Sequence, residues 1–154
     1  MSAASTSRIP DPPPLDEAVI RQCDAATPDL VGRWTERALA CSIKVHRSTP
    51  DAGAINAMID FCLSPHAVTR CVLNAHEYEE SLQLEAHLAR REIAAVKWGS
   101  PGCREEAFSC EAAITDCRAG LADTGGILVW SDAGFGRSST LVVPIHVVLL
   151  PARR

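Results

Sequence analysis

The 154-residue sequence is short of aromatic side chains, which make up 5% of it. Aliphatic residues and alanine therefore have to fill any interior. It has no surplus of basic charge. A formal net charge of −4 excludes the basic footprint by which most nucleic-acid-binding surfaces are known, and the terminal Arg153-Arg154 pair is too short for a polybasic tail. No run of apolar residues reaches the length that spans a bilayer. Residues 1–14 contain no apolar segment of the kind that forms a secretory signal. These absences predict a cytoplasmic protein that engages neither nucleic acid nor membrane. The motifs of the commonest chemistries are missing too. There is no G-x-G-x-x-G dinucleotide fingerprint, no G-x-x-x-x-G-K-[ST] phosphate loop and no H-E-x-x-H metal helix. There is also no G-x-S-x-G nucleophile elbow.

Close cysteine pairs are absent as well, although cysteine itself is not. The seven cysteines are Cys23, Cys41, Cys62, Cys71, Cys103, Cys110 and Cys117. Zinc ribbons and fingers need pairs such as C-x2-C, because two sulfurs on one tight turn must reach one ion. The spacing of seven between Cys103, Cys110 and Cys117 supplies no such pair, and an apolar run at 112–115 interrupts any helix that would carry all three. In a reducing compartment these read as free thiols that fill space. No metal site and no cofactor are expected in this chain.

What is present is an alternation of helix and strand signals. Residues 1–14 are polar and proline-rich, with too little apolar area to offset the entropy of ordering, and are expected to be a disordered leader. A single domain is expected over 15–154. Thr27-Pro28-Asp29 reads as a helix start with Thr27 as the cap, followed by Leu30, Val31, Trp34 and Ala38 on one face. Thr49-Pro50-Asp51 repeats that start before the stripe Ile55, Met58, Ile59, Cys62, Leu63. Strands are predicted at 43–46, 67–73 and 92–98. A helix capped by Asn74 and Glu77 is predicted to run to Arg90, with Tyr78, Leu82, Ala86 and Ala89 inward. The segment 99–102 is a turn, and 105–110 one or two helical turns. Such alternation is the signature of βαβ units around a parallel sheet. The fold class is therefore α/β, a mainly parallel sheet flanked by helices.

The segment 112–151 organises the rest. It reads as a strand at 112–115, a short helical turn ending at Thr124-Gly125, a strand at 127–131, a glycine-containing loop at 132–138 and a long apolar strand at 140–150. In an open α/β sheet, ligands bind beyond the carboxyl ends of the strands. Gly125, Gly134 and Gly136 let a ligand approach the backbone or simply serve turn geometry. Arg137 is either a bidentate clamp for a carboxylate or phosphate or a surface ion-pair partner. Asp123 is an acid/base group or a loop hydrogen-bonder, and Thr124 gives its hydroxyl to a ligand or to the backbone. His146 is a candidate base or an interior histidine with a satisfied ring. His46, His66, His76 and His87 read as surface or loop residues.

Four pieces of this segment, in order, resemble the LUD domain of the lactate-utilisation protein C family. They are Ile114-Thr115, Leu121-Ala122-Asp123-Thr124-Gly125, Gly134-x-Gly136-Arg137 and Pro144-x-His146-Val147-Val148. Gly126 stands where that family usually has Thr, and Asp132-Ala133 replaces its Gly-Pro. The resemblance implies the fold group of ribose-5-phosphate isomerase, glucosamine-6-phosphate deaminase and the coenzyme A transferases. It adds Thr115 to the ligand-binding candidates. It also implies partner subunits that carry iron–sulfur clusters, the set oxidising L-lactate to pyruvate, with no cluster in this chain and a small carboxylate or phosphate as its ligand. Family members continue past the P-x-H-[IV] strand, so a C-terminally short version is expected, with an exposed apolar edge or an oligomeric contact. Two alternatives stay open. One is a stand-alone enzyme of the same fold group, which needs either a loop glutamate as nucleophile or more than one basic residue at the loops, where only Arg137 is evident. The other is a folded fragment without activity.

Overall fold

The computed structural model describes residues 29–129, 131 and 135–152. Its centre is a four-stranded parallel sheet of β1 (Arg70–Asn74), β2 (Ala94–Lys97), β3 (Ala112–Asp116) and β6 (Ile145–Leu149), in the order β2-β1-β3-β6. The remaining strands, β4 (Ala119–Leu121) and β5 (Gly126–Leu128), form a separate antiparallel hairpin. Five helices are described: α1 (Leu30–Ala40), α2 (Ala52–Leu63), α3 (Glu79–Leu82), α4 (Leu84–Arg90) and α5 (Cys103–Ala107), with a 3-10 turn at Arg137–Thr140. The predicted α/β architecture with a mainly parallel sheet is the one observed.

The register explains why the strands are apolar on consecutive positions. Cys71 lies beside Ala112 and Leu73 beside Ile114. That face packs on Ile59 and Leu63 of α2 and on Leu82, Leu84 and Leu88 of α3 and α4. Val72 lies beside Val96 and Ala113, and that face packs on Cys103 and Ala107 of α5 and on Trp98. Both faces are covered, as a parallel sheet requires. Ile114, fully buried, gains about 2–3 kcal/mol from leaving water.

Several boundaries differ from the predicted ones, and each has a local cause. Thr27 lies outside the described residues; the cap of α1 is Asp29, which accepts from the Gly32 N–H at 2.7 Å. The cap of α2 is likewise Asp51, accepting from Ala54 N at 2.9 Å, and not Thr49. The predicted strand at 43–46 does not form. Ser42 takes a left-handed conformation with φ 63°, and the Ile43 N–H returns to the Ala38 carbonyl at 3.0 Å. That is a Schellman ending, which uses Ile43 to close α1. The same device trims β2: Glu92 has φ 60° and Ile93 N–H bonds the Leu88 carbonyl, so the strand starts at Ala94.

The single helix predicted up to Arg90 is two. Asn56 reaches from α2 and donates to the Leu82 carbonyl at 3.0 Å, an acceptor that a continuous helix would use itself, and Gln83 turns left-handed with φ 48°. The break puts Leu82, Leu84 and Leu88 inward and leaves Ala86 and Ala89 exposed. Asn74 is no cap; it ends β1 with a fully buried side chain. The helical turn predicted before Gly125 is the turn of the β4–β5 hairpin. The long strand predicted at 140–150 is only Ile145–Leu149, because Ser139 and Thr140 bond back to the carbonyls of Gly136 and Arg137 at 2.7 and 2.8 Å and hold a 3-10 turn there. His87, read as a surface residue, packs half-buried against Asp60 at 2.9 Å.

Candidate ligand site at the strand ends

The chain leaves β1 for β2 through α3 and α4, then crosses to β3 on the other side of β1 through α5. The carboxyl ends of β1 and β3, at Asn74 and Asp116, therefore flank the point where the connections diverge, the usual ligand position in an open α/β sheet. Asp116 accepts from the Glu77 backbone N–H at 3.0 Å, tying the loop after β1 to the end of β3.

On the α5 face, Asn74 and Thr115 stand side by side in register. Thr115 is fully buried, and its hydroxyl lies 2.8 Å from His146 Nε2, joining β3 to the edge strand β6. A hydroxyl can donate to a neutral imidazole or accept from it, so the pair is satisfied in either tautomer. Burial pushes the His146 pKa below its ordinary value of 6.5, and the ring is neutral at pH 7.

Asn74 donates to Ser139 Oγ at 2.7 Å and lies 3.5 Å from the Gly136 carbonyl. Ser139 donates to that same carbonyl at 2.7 Å. The Asn74 Oδ1 is buried with no hydrogen-bond partner among the described residues. The Gly136 peptide is thus fixed to the end of β1, and a Cβ at Gly136 would overlap the Trp98 indole. Trp98 directly follows β2, so this contact sets the distance between the loop after β2 and the segment carrying Arg137.

Between those two segments lies a cleft of about 440 Å³, within the size range of small-molecule sites. Trp98, Cys103, Arg104 and Glu105 line one part of it, and Ser131, Phe135, Arg137 and Ser138 the other. Arg137 is exposed and points its Nε at Ser131 Oγ, 3.2 Å away. A second hollow, of about 510 Å³, is lined by His76, Glu79, Glu80 and Glu85. Two of its carboxylates, Glu79 and Glu85, are engaged by Lys97. It lies on the α3–α4 connection and not at the strand-end hydrogen-bond network.

The sequence candidates thus divide. Thr115, His146, Gly136 and Arg137 belong to the strand-end region, Thr115 and His146 in direct contact. Gly134 lies outside the described residues. Asp123, Thr124 and Gly125 form the turn of the hairpin and are directed at α1. Asp123 pairs with Arg33, the Thr124 carbonyl faces Cys41 Sγ, and Gly125 packs on the α1 backbone at Arg37 and Ala38. Thr124 directs its hydroxyl to the hairpin itself, accepting from Gly126 N at 3.3 Å. Asn74, Ser139, Trp98 and Arg104 carry no sequence signal as site residues, because only the crossing of the chain brings them to the cleft.

Four of the six thiols of the described chain are placed as packing groups, whereas Cys41 is exposed and Cys62 half-buried. Cys71, Cys103, Cys110 and Cys117 are buried, and burial pushes the Cys71 thiol up to about 12. Among the described residues no three His, Cys, Asp or Glu side chains are grouped to hold a metal ion. No helix among them is long and apolar enough to cross a membrane.

An open parallel sheet with both faces covered and a polar cleft at its strand ends defines an α/β domain with a candidate ligand site. The LUD domain family matches residues 33–154, and the chain belongs to that family. LUD domains are associated with lactate-utilisation proteins. Comparison with curated proteins and with solved structures returned no match.

Proposed function

We propose that this chain is an accessory subunit of lactate-utilisation protein C type. In this reading it works in a complex that oxidises L-lactate to pyruvate, with the iron–sulfur clusters held by partner subunits in the cytoplasm. Its own contribution is a small-anion site in the strand-end cleft, with Arg137 as the charged contact. The observation that carries the reading is membership of the LUD family over 33–154. Capture of the tagged chain from its native cells grown on L-lactate tests the proposal. Co-recovery of iron–sulfur subunits is the expected result; recovery of the chain alone, in gentle buffer and at native expression, sinks the complex.

A second reading has one observation in its favour. A stand-alone enzyme acting on a phosphorylated small molecule needs more than one basic residue at the loops, and the fold brings Arg104 into the cleft with Arg137. For either reading, Arg137→Ala is expected to weaken anion binding with little change in melting temperature, because an exposed guanidinium adds little to the core. A parallel fall in melting temperature and binding would make Arg137 structural.

A further inference from the structure

Several cations of the described chain have a carboxylate partner. Arg33 pairs with Asp123, Arg70 with Glu106, Arg91 with Asp60 and Lys97 with both Glu79 and Glu85. The two arginines of the strand-end cleft have none among the described residues, although Glu105 lines the same cleft. Arg137 uses only Nε, on Ser131 Oγ, which leaves its terminal nitrogens unused. Ser131 Oγ accepts from both the Arg137 backbone N–H and Nε, at 3.4 and 3.2 Å, so its own O–H is free to donate outward. Ser138 lines the cleft too. The cavity is therefore rich in donors from two separate chain segments and holds a single carboxylate among the described residues.

This donor set discriminates between anions. The carboxylate of a three-carbon acid offers two coplanar oxygens, and one guanidinium fork satisfies both. A phosphoryl group offers three oxygens arranged around a centre, and so can be held from several directions at once by two guanidiniums and two hydroxyls. The cleft, about 440 Å³, also leaves room for the body of a molecule attached to that group.

We propose that this cleft is a phosphoryl-binding site, in which Arg104 from α5 and Arg137 from the 3-10 turn together hold the phosphate of a small phosphorylated metabolite. Asn74 acts as a positioning residue, because its hydrogen bonds fix the Gly136–Ser139 segment that carries Arg137. This inference rests on the ligand-site part of the function proposed above and not on the partner subunits.

The test is titration of the full chain with inorganic phosphate and, separately, L-lactate, followed by calorimetry. Phosphate is expected to bind more tightly than L-lactate. Arg104→Gln and Arg137→Gln are each expected to weaken phosphate by about 10-fold, the loss of one charge-assisted contact, and the double variant to abolish it. Glu105→Gln is expected to tighten it, since a like charge leaves the cleft. Arg104→Lys serves if Arg104→Gln melts early: it keeps the charge but not the fork, and is expected to bind phosphate between wild type and the double variant. The inference is overturned by an absence of binding at millimolar phosphate, by an affinity indifferent to Arg104, or by L-lactate binding the tighter. Failure of the complex reading has a different signature, an empty capture with phosphate binding intact.

Discussion

Gly136 meets three demands at one residue. Its carbonyl receives Asn74 and Ser139, its Cα lies flat against Trp98, and the next residue is Arg137. Trp98 is buried, so a methyl group at 136 forces either the indole or the loop to move. Gly136→Ala is expected to cost about 1–3 kcal/mol, as overpacking does, and to reduce phosphate affinity by displacing Arg137. Urea unfolding alongside phosphate titration checks both; a variant as stable and as tight as wild type would remove Gly136 from this role. The motif in which Gly136 and Arg137 stand is visible in the sequence, as are Thr115 and His146. Asn74 and Arg104 are not, for different reasons. Asn74 precedes a helical segment and resembles a cap until the strand is seen to end on it. The significance of Arg104 is that no carboxylate among the described residues pairs with it, and that is a property of three-dimensional neighbours.

At the scale of elements, α1 and the β4–β5 hairpin form one docked unit. Trp34 Nε1 donates to the Gly126 carbonyl at 2.8 Å, Arg33 pairs with Asp123, and Gly125 allows the turn to touch the helix backbone. Gly125 has φ 71°, and a Cβ there would overlap the Ala38 backbone nitrogen. Gly125→Ala is thus strained twice, by conformation and by contact, and is expected to cost about 1–3 kcal/mol. Hydrogen exchange locates the loss: amides of α1 and the hairpin are expected to lose protection before those of β1 and β3. Uniform loss across the sheet would mean that the hairpin is part of the global unit. The parallel strands and most helices are legible in the sequence because covered strands are continuously apolar and amphipathic helices keep their 3.6-residue period. The hairpin is not, because its strands are three residues each and its Leu121–Gly125 turn, closed by Gly125 N–H to the Leu121 carbonyl at 2.8 Å, mimics the end of a helix. The two Schellman endings escape notice because Ser42 and Glu92 stand where glycine would have announced them.

For the whole molecule, the links between strands set how stability depends on pH. Thr115–His146 joins β3 to β6, and Glu111 joins the start of β3 to β1 by accepting the backbone N–H groups of Thr69 and Arg70 at 3.0 and 2.8 Å. These N–H bonds hold the Glu111 carboxyl below its ordinary value of 4.5, whereas burial lowers His146 from 6.5. Both folded-state values are depressed, so in both cases the unfolded chain binds the proton more readily. The His146 contribution is complete above pH 6.5 and is lost as pH falls toward its folded value. That of Glu111 persists until pH falls below 4.5 and is lost in turn. Two losses with successive onsets are therefore expected on acidification, the first removable without touching the second. His146→Gln keeps an amide within reach of the Thr115 hydroxyl but cannot take up a proton. The melting temperature of this variant is expected to fall less than that of wild type as pH drops from 7 to 5. An unchanged slope in the upper window would show that the imidazole stays neutral at no cost to the fold, and that the interior of the β3–β6 pair is open to water.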